Sequence, residues 1–449
     1  MKLFVYRLFY VSYGIQRKLT RRVTISGIVV LLLGFAAALT GDSDQSMNYQ
    51  IFSFLLSLLS ISIVFSLFFR YQFSAIRGLP RLATVDVKLK YRILINNKTN
   101  KLQKGLKLFE NFADPRPTFQ EFIGAFETEK SQGNYFNQAL GYYRWLWLIS
   151  RKQCGKAQPI NLPPLAANSK TEVTCEFIPT HRGVIQLTGM TVARPDPFGF
   201  FNACKTIYLP QSLLILPKLY KLPLIQLPGS KRYQSGGVAL ASSVGDSEEF
   251  RSLRDYRSGD SLRKIHWKSW AKIGKPIVKE EQDEFFVRHA LILDTFQKVN
   301  YSEILEEAVS IAASLACEVQ TQDSLLDLMF VGNEAYCFTF GRGLSHTDRM
   351  LEILASVVAC RDKAFDSIIP TVIEKLSLLS GCICIFLCWD EDRKRLVNYL
   401  TSMGIHTLVL IITDREDKLE NFDPNCINDR QTTFHILKLG KIQEELMHI

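Results

Sequence analysis

The chain opens with two uninterrupted apolar runs, residues 23–41 and 51–69, each of 19 residues without a charge. Either is close to the roughly 20 residues that cross a bilayer core, and together they predict a transmembrane hairpin. Beyond it the pattern shifts to period two, as in half-buried strands. Ala83-Thr84-Val85-Asp86-Val87-Lys88-Leu89 and Thr171-Glu172-Val173-Thr174-Cys175-Glu176-Phe177 alternate in this way, and Gly183-Val184-Ile185-Gln186-Leu187 is another β-rich run. Turn signals separate the runs at Asn96-Asn97, Asp114-Pro115, Leu162-Pro163-Pro164, His181-Arg182-Gly183 and Asp196-Pro197-Phe198-Gly199. Residues 81–218 are therefore expected to form a β-sandwich-like module. Within it, Tyr142-Tyr143-Arg144-Trp145-Leu146-Trp147 reads as a strand feeding an aromatic core, with a surface platform as the alternative.

The last third changes pattern again. Strand-like runs at 288–294, 325–331, 382–389 and 407–413 alternate with helical spacing at 305–319, 350–358, 373–379 and 393–403. Such alternation predicts an α/β domain over residues 288–449, with a mostly parallel sheet covered on both faces. Pro228, Gly229, Gly236-Gly237 and several serines mark residues 219–245 as a linker. A charged segment, 246–287, follows it.

Charge placement orients the hairpin. Lys2, Arg7, Arg17, Lys18, Arg21 and Arg22 precede the first run with no acid among them, and Arg70, Arg77, Arg81, Lys88, Lys90 and Arg92 follow the second. The connection carries Asp42 and Asp44 and no base. The positive-inside rule then puts both termini in the cytoplasm of an inner-membrane protein, with residues 1–22 as a cytoplasmic tail. This accounts for much of the net charge of +10 and leaves little to assign to nucleic acid. A cleaved signal peptide is the rival reading, since Ala36-Ala37-Ala38 resembles a cleavage site; the second run would then act as a stop-transfer helix. A hydrophobic fraction of 47% beside 22% charged residues argues against a polytopic transporter. The 10 cysteines, none in a CxxC pair, fit a reducing compartment.

In the charged segment acids and bases interleave. Gly259-Asp260-Ser261 reads as a turn followed by an N-cap, and Leu262, Ile265, Trp270 and Ile273 as one face of a short helix ending at Gly274. Arg254, Arg257, Arg263 and Lys268 have two readings: an anion-binding set, or a salt-linked network with Glu248, Glu249, Asp255 and Asp260. The string Leu253-Arg254-Asp255-Tyr256, Gly259-Asp260, Arg263, Ile265-His266-Trp267-Lys268, Ala271 and Val278-Lys279-Glu280 resembles the signature of the domain of unknown function 58 family. Leu162-Pro163-Pro164-Leu165, His181-Arg182-Gly183 and Asp196-Pro197-Phe198-Gly199-Phe200 resemble that family too, as does the transmembrane pair. The resemblance implies a bacterial membrane protein with a β-rich module, a C-terminal von Willebrand factor type A-like domain and no established enzymatic activity. It also implies a MoxR-type AAA+ ATPase as partner, and makes Arg254, Asp255, Tyr256, Gly259, Asp260, Arg263, His266, Trp267 and Lys268 the candidate partner-binding residues.

Type A domains hold a divalent cation through a DxSxS motif, whose oxygens suit a hard ion. Here the string is Asp294-Thr295-Phe296-Gln297-Lys298, so Asp294 matches while Phe296 and Lys298 stand at the serine positions and Thr295 is out of register. Thr347 and Asp390 are the residues expected near the same strand ends. No metal and no cofactor is expected, and no Walker loop or GxGxxG precedes a helix. Cys382, Cys384 and Cys388 share one strand face by parity and read as core thiols. His266 reads as a capped histidine in the charged network, without an identifiable Ser or Cys nucleophile. The expected function is a non-enzymatic membrane-tethered adaptor whose partners are the bilayer and a protein, with no nucleic acid. The alternatives are a metal-dependent enzyme or metal-regulated binder at Asp294, and a nucleic-acid binder using the basic aromatic motif.

Overall fold

The computed structural model describes residues 2–40, 47–67, 72–124, 141–153, 155–223, 250–260, 262, 265–281, 288–298, 302–321, 325–341, 344–414 and 432–449. The chain folds as two compact units, Met1–Lys218 and Leu219–Ile449. Most of the expected linker, with Pro228, Gly229, Gly236 and Gly237, lies outside the described residues.

The first unit begins with three helices, α1 (Lys2–Arg22), α2 (Ile25–Thr40) and α3 (Met47–Leu67). Met47–Ser66 is long and apolar enough to cross a membrane, while α2 is a shorter apolar helix. Within the expected N-terminal tail, residues 2–22 form a helix that docks on the rest of the unit. Its Tyr6, Phe9 and Tyr13 pack against Phe122, Trp145, Leu148 and Ile149, because aromatic residues three and four apart share one helix face.

The β-rich part runs β1 (Phe73–Gly78), β2 (Leu82–Thr84), β3 (Leu89–Asn97), β4 (Lys107–Phe112), α4 (Phe119–Gly124), α5 (Tyr142–Lys152), β5 (Gly155–Ala157), β6 (Ile160–Asn161), β7 (Lys170–Pro179), β8 (Gly183–Pro195) and β9 (Asn202–Leu216). Two sheets, ordered β1-β3-β7-β5 and β2-β9-β8-β4-β6, share one core that includes Ile93, Ile95, Phe177, Leu187, Leu213 and Ile215. Alternation along β3, β7, β8 and β9 points these residues inward, as the burial patterns of those strands show. A buried polar network crosses the core. The Arg77 guanidinium pairs with Glu110 and donates to the Gly189 carbonyl at 3.0 Å, while the Tyr91 hydroxyl donates to Glu110 at 2.5 Å.

Two local expectations fail here for physical reasons. Residues 83–89 are not one strand, because Asp86 takes a left-handed φ of 61° and turns the chain between β2 and β3; Asp tolerates that conformation better than most residues. Residues 142–147 are not a strand but the first half of α5. Trp145, Leu148 and Ile149 recur at helical spacing and are buried together, and that period overrides the β preference of tyrosine and tryptophan.

The turn between β8 and β9 fastens the helices to the sandwich. The Gly199 carbonyl accepts from the Thr24 hydroxyl at 2.5 Å and from Ser26 at 3.0 Å, and the Phe200 carbonyl accepts from the Thr24 amide at 3.0 Å. The Asp196 carboxylate accepts from the Phe201 amide at 2.9 Å and from the buried Ser62 hydroxyl of α3. Asn202 donates to the Arg21 carbonyl at 3.1 Å, which caps the end of α1. The contact is close enough to need a glycine: a Cβ at Gly27 would sit 2.3 Å from the Phe200 carbonyl oxygen, whereas one at Gly34, further along the same helix, would meet nothing within 4 Å.

The second unit starts with β10 (Phe250–Asp255), α6 (Trp267–Ile273) and β11 (Ile277–Glu281), with β10 and β11 antiparallel. Then come β12 (Arg288–Leu293), α7 (Glu303–Thr321), β13 (Leu325–Val331), β14 (Ala335–Phe340), α8 (Leu344–Ser356), α9 (Ile369–Lys375), β15 (Gly381–Phe386), α10 (Glu391–Ser402), β16 (His406–Thr413), β17 (Thr432–Lys438) and α11 (Ile442–Leu446). The sheet order is β14-β13-β12-β15-β16-β17, parallel except for the β14 edge. Every residue of β12 and β15 is buried, as a parallel sheet covered on both faces requires. Ala290, Ile292, Cys384 and Val409 meet Val372, Leu396 and Val397 from α9 and α10 on one face, and α7 lies against the sheet as well. At the strand starts Arg288 pairs with the fully buried Asp327 at 2.6 Å, and Thr339 of the edge strand donates to the same carboxylate at 2.6 Å.

Two measurements test this packing. Gly27→Ala should lower the thermal unfolding midpoint of the detergent-solubilised protein, at a cost of about 1–3 kcal/mol for overpacking. Gly34→Ala should leave it unchanged or raise it, and equal effects would refute the close docking of α2. Beside Arg288, His289 is 3% exposed and neither ring nitrogen has a partner, so desolvation lowers its pKa to about 4. The unfolded chain binds this proton first, so its stability contribution is constant above pH 6.5, falls between 6.5 and 4, and levels off below; the total is about 3 kcal/mol. His289→Leu should remove that slope, and an unchanged acid profile would refute the assignment.

Candidate functional site

Two places in the second unit bring the sequence-selected residues together. The first is the motif hairpin. Arg254 faces Val278 and Asp255 faces Ile277 across β10 and β11, and the chain between the strands folds back on itself. Arg254 grips Asp260 with two hydrogen bonds of 2.7 Å, and Asp260 also accepts from the Arg257 amide at 2.8 Å. The Arg254 hydrogen bonds, followed by the Arg257 amide, hold the Asp260 carboxyl down at about 2. Gly259 takes a φ of +107°, which a side chain would strain. The Tyr256 amide donates to Pro276 and the His266 amide to Ile277, each at 2.9 Å.

The helix in this segment starts later than its sequence suggests. α6 begins at Trp267, and Ile265 lies ahead of it, buried in an isolated bridge to Val278. Leu262 and Ile273 are exposed, so the expected apolar face does not form. The end at Gly274 is as expected, with that glycine in the left-handed conformation. His266 stands at the helix start, and its Nδ1 shares a hydrogen bond of 2.6 Å with the Ser269 hydroxyl. Of the salt-linked network, the Arg254–Asp260 pair forms; Ser261, Arg263, Glu248 and Glu249 lie outside the described residues. What remains on display is aromatic and basic. Trp267 is 64% exposed and stacks on Trp270 at 5.1 Å between ring centroids, and Lys268, Lys272 and Lys275 are exposed beside them.

The second place is the carboxyl end of β12. The strand order reverses between β12 and β15, and a crevice at such a switch point is where α/β sheets bind ligands. Asp294 is fully buried there. It accepts from the Phe296 amide at 3.0 Å, the Leu387 amide at 3.1 Å and the Arg393 guanidinium at 2.9 Å. Arg393 also reaches Asp390 at 2.5 Å and lies over the Phe365 ring at 4.4 Å. Asp390 in turn caps α10 by accepting from the Arg393 amide at 3.1 Å.

Burial raises the pKa of Asp294, opposed first by Arg393 and then by the two amides. Burial alone would lower that of Arg393, but the Asp294 carboxylate carries it above the ordinary guanidinium value. A guanidinium therefore stands where a cation would need the carboxylate oxygens free. Phe296 packs into the core and Lys298 is exposed, so neither serine position offers an oxygen. Thr295 turns away to donate to the Val331 carbonyl at 2.5 Å, and Thr347 lies in α8. The sequence singled out Asp294 and Asp390 but not Arg393, whose only signal was its place one turn after Asp390. Among the described residues no group of three or more His, Cys, Asp or Glu residues is arranged to hold a metal ion.

Cys382 and Cys384 are core thiols with sulfurs 3.7 Å apart. Cys388 is not: it lies past the strand end, exposed, near Asp390.

Residues 252–376 match the family described as "Protein of unknown function DUF58". Most of the motif segment and the first strands of the α/β sheet fall in that match. The chain is also 27% identical over 176 residues to the uncharacterized protein YeaD of Bacillus subtilis (strain 168), covering 39% of this chain and 42% of that one. The alignment thus spans less than half of the relative's length. Among solved structures, the CARDB domain of a Pyrococcus furiosus protein in complex with di-metal ions has 9% identity and a TM-score of 0.17, covering 33% of this chain and 96% of that one. Superoxide reductase from Ignicoccus hospitalis has 12% identity and a TM-score of 0.12, covering 31% of this chain and 81% of that one. Scores this low carry no argument.

Arg393→Met strands a buried carboxylate and should cost about 3–5 kcal/mol, read as a lowered unfolding midpoint. Adding Asp294→Asn should recover most of that loss. If the single variant melts like the wild type, the pair is not what holds this crevice.

Proposed function

We propose that the protein is a non-enzymatic adaptor of the bacterial inner membrane. Residues 23–41 and 51–69 form its transmembrane hairpin, with both termini cytoplasmic. The basic flanks of the hairpin and the length of α3 support this topology. The α/β unit is read as von Willebrand factor type A-like: its one antiparallel edge strand and the carboxylate at the end of β12 support that reading.

The observation that carries the adaptor reading is the Trp267–Trp270 stack. α6 buries none of its residues, yet it holds out two large aromatic side chains, one of them mostly exposed, among lysines. Exposed tryptophan flanked by cations is what a protein-binding anchor looks like before its partner arrives. The surrounding lysines suit an acidic surface on that partner. By resemblance to the DUF58 family the partner is a MoxR-type AAA+ ATPase, acting in assembly or maturation of envelope complexes.

The test is recovery of the ATPase with the tagged protein from detergent-solubilised membranes. Trp267→Ala with Lys268→Glu should weaken recovery about 10- to 100-fold, the loss of one hot-spot residue. The unfolding midpoint should stay put, because both substituted side chains are exposed. Undiminished recovery by this variant refutes the assigned surface, and failure of the wild type to retain the ATPase refutes the partner.

A further inference from the structure

α1 has two opposite faces, and the sandwich uses only one. Tyr6 donates to the Pro117 carbonyl at 3.0 Å, Arg17 to the Phe112 carbonyl at 3.0 Å and Arg21 to Asn111 at 2.5 Å. At about 100° per residue, the far side of the helix carries Phe4, Leu8, Val11, Ile15 and Leu19. These are 73%, 57%, 56%, 53% and 51% exposed. A helix face in water is ordinarily polar, so a stripe this long needs a nonaqueous cover.

We propose that this stripe lies on the anionic cytoplasmic leaflet, which makes α1 an in-plane interfacial helix and the sandwich a module held directly beneath the bilayer. The inference rests on the proposed hairpin. Charge complementarity selects the occupant: α1 contains Lys2, Arg7, Arg17, Lys18, Arg21 and Arg22 and no acid. Arg7, Lys18 and Arg22 are exposed on the stripe's own side, where their stems cover apolar surface and their heads reach phosphates. Continuity selects it too, because Val23 and Thr24 alone separate α1 from the apolar α2. The same turn that caps α1 through Asn202 anchors the start of α2 through Gly199 and Phe200, so the stripe begins at the level where the chain enters lipid. Phe198 on that turn, 44% exposed and stacked on Phe200, adds an aromatic at the same level.

The experiment places the photocrosslinker benzoylphenylalanine at single sites of the full-length protein, reconstituted in vesicles of phosphatidylcholine and phosphatidylglycerol. With the crosslinker in place of Val11 or Leu8, irradiation should give protein–lipid adducts by mass spectrometry; in place of Tyr13, on the packed face, it should give crosslinks within the chain. Arg7→Gln with Lys18→Gln should lower the adduct yield at position 11 at least about five-fold, as should omitting phosphatidylglycerol. Phe54, on the exposed side of α3, reports the hairpin independently. Lipid adducts at position 54 but none at 11, or crosslinks from 11 to a second copy or another protein, overturn the interfacial helix and leave the hairpin standing. No lipid adduct at position 54 overturns the hairpin and this inference with it.

Discussion

The constraint on which the first unit depends is the fate of the backbone groups at the start of α2. A helix leaves its first amides without internal partners, and a backbone amide withdrawn from water without a partner is costly. Here carbonyls of the β8–β9 turn take over. Thr24 donates from both amide and hydroxyl to Gly199 and Phe200, and its hydroxyl oxygen accepts from the Gly27 amide. Because those carbonyls belong to a short turn between two long paired strands, the helix cannot shift without distorting the sandwich. Asp196 extends the same fastening to α3, and Asn202 to α1. The Asp-Pro-Phe-Gly stretch, legible in sequence only as a turn, is thus the joint between apolar helices and folded module.

Buried arginine–carboxylate pairs recur in both units: Arg77 with Glu110, Arg288 with Asp327, and Arg393 with Asp294. Replacing such pairs by apolar groups is often neutral, while breaking one is costly, so each fixes geometry more than it adds net stability. The third is the most consequential, because it sits where the strand order reverses. With Arg393 bonded to two carboxylates and resting on Phe365, the switch-point crevice is occupied by the protein's own cation. The place where an α/β sheet ordinarily acts is therefore already filled, which leaves the outside of the unit.

Periodicity made the α/β unit the most readable part of the chain. The expected strands at 288–294, 325–331 and 407–413 match β12, β13 and β16 closely, since strands buried on both faces leave continuous apolar runs. The run at 382–389 ends early, at Phe386, where the chain turns toward Asp390. The antiparallel edge β14 escaped notice, its residues being partly exposed and its pattern weak. Residues 142–147 read as a strand because five of the six are aromatic or aliphatic, and only the joint burial of Trp145, Leu148 and Ile149 marks the helix α5. Asp294 was legible as a candidate and Arg393 was not: the charge that neutralises a buried carboxylate comes from 99 residues away, a distance that no local pattern records.

The motif residues divide by what they do. A seven-residue helix such as α6 is too short to persist alone, and a lone two-stranded hairpin is marginal in water. Each must therefore be held by specific contacts, and much of the motif supplies them: the Arg254–Asp260 grip, the positive φ of Gly259, the bridge at Ile265, the His266–Ser269 bond and the glycine stop at 274. Few motif residues are left over for display, chiefly Trp267 and Lys268. On the proposed adaptor reading, a substitution at Arg254 or Asp260 would weaken binding by loosening the frame, whereas one at Trp267 would weaken it with the frame intact. Only the second kind of loss identifies a binding surface, which is why the exposed tryptophan, and not the better-bonded arginine, carries the functional reading.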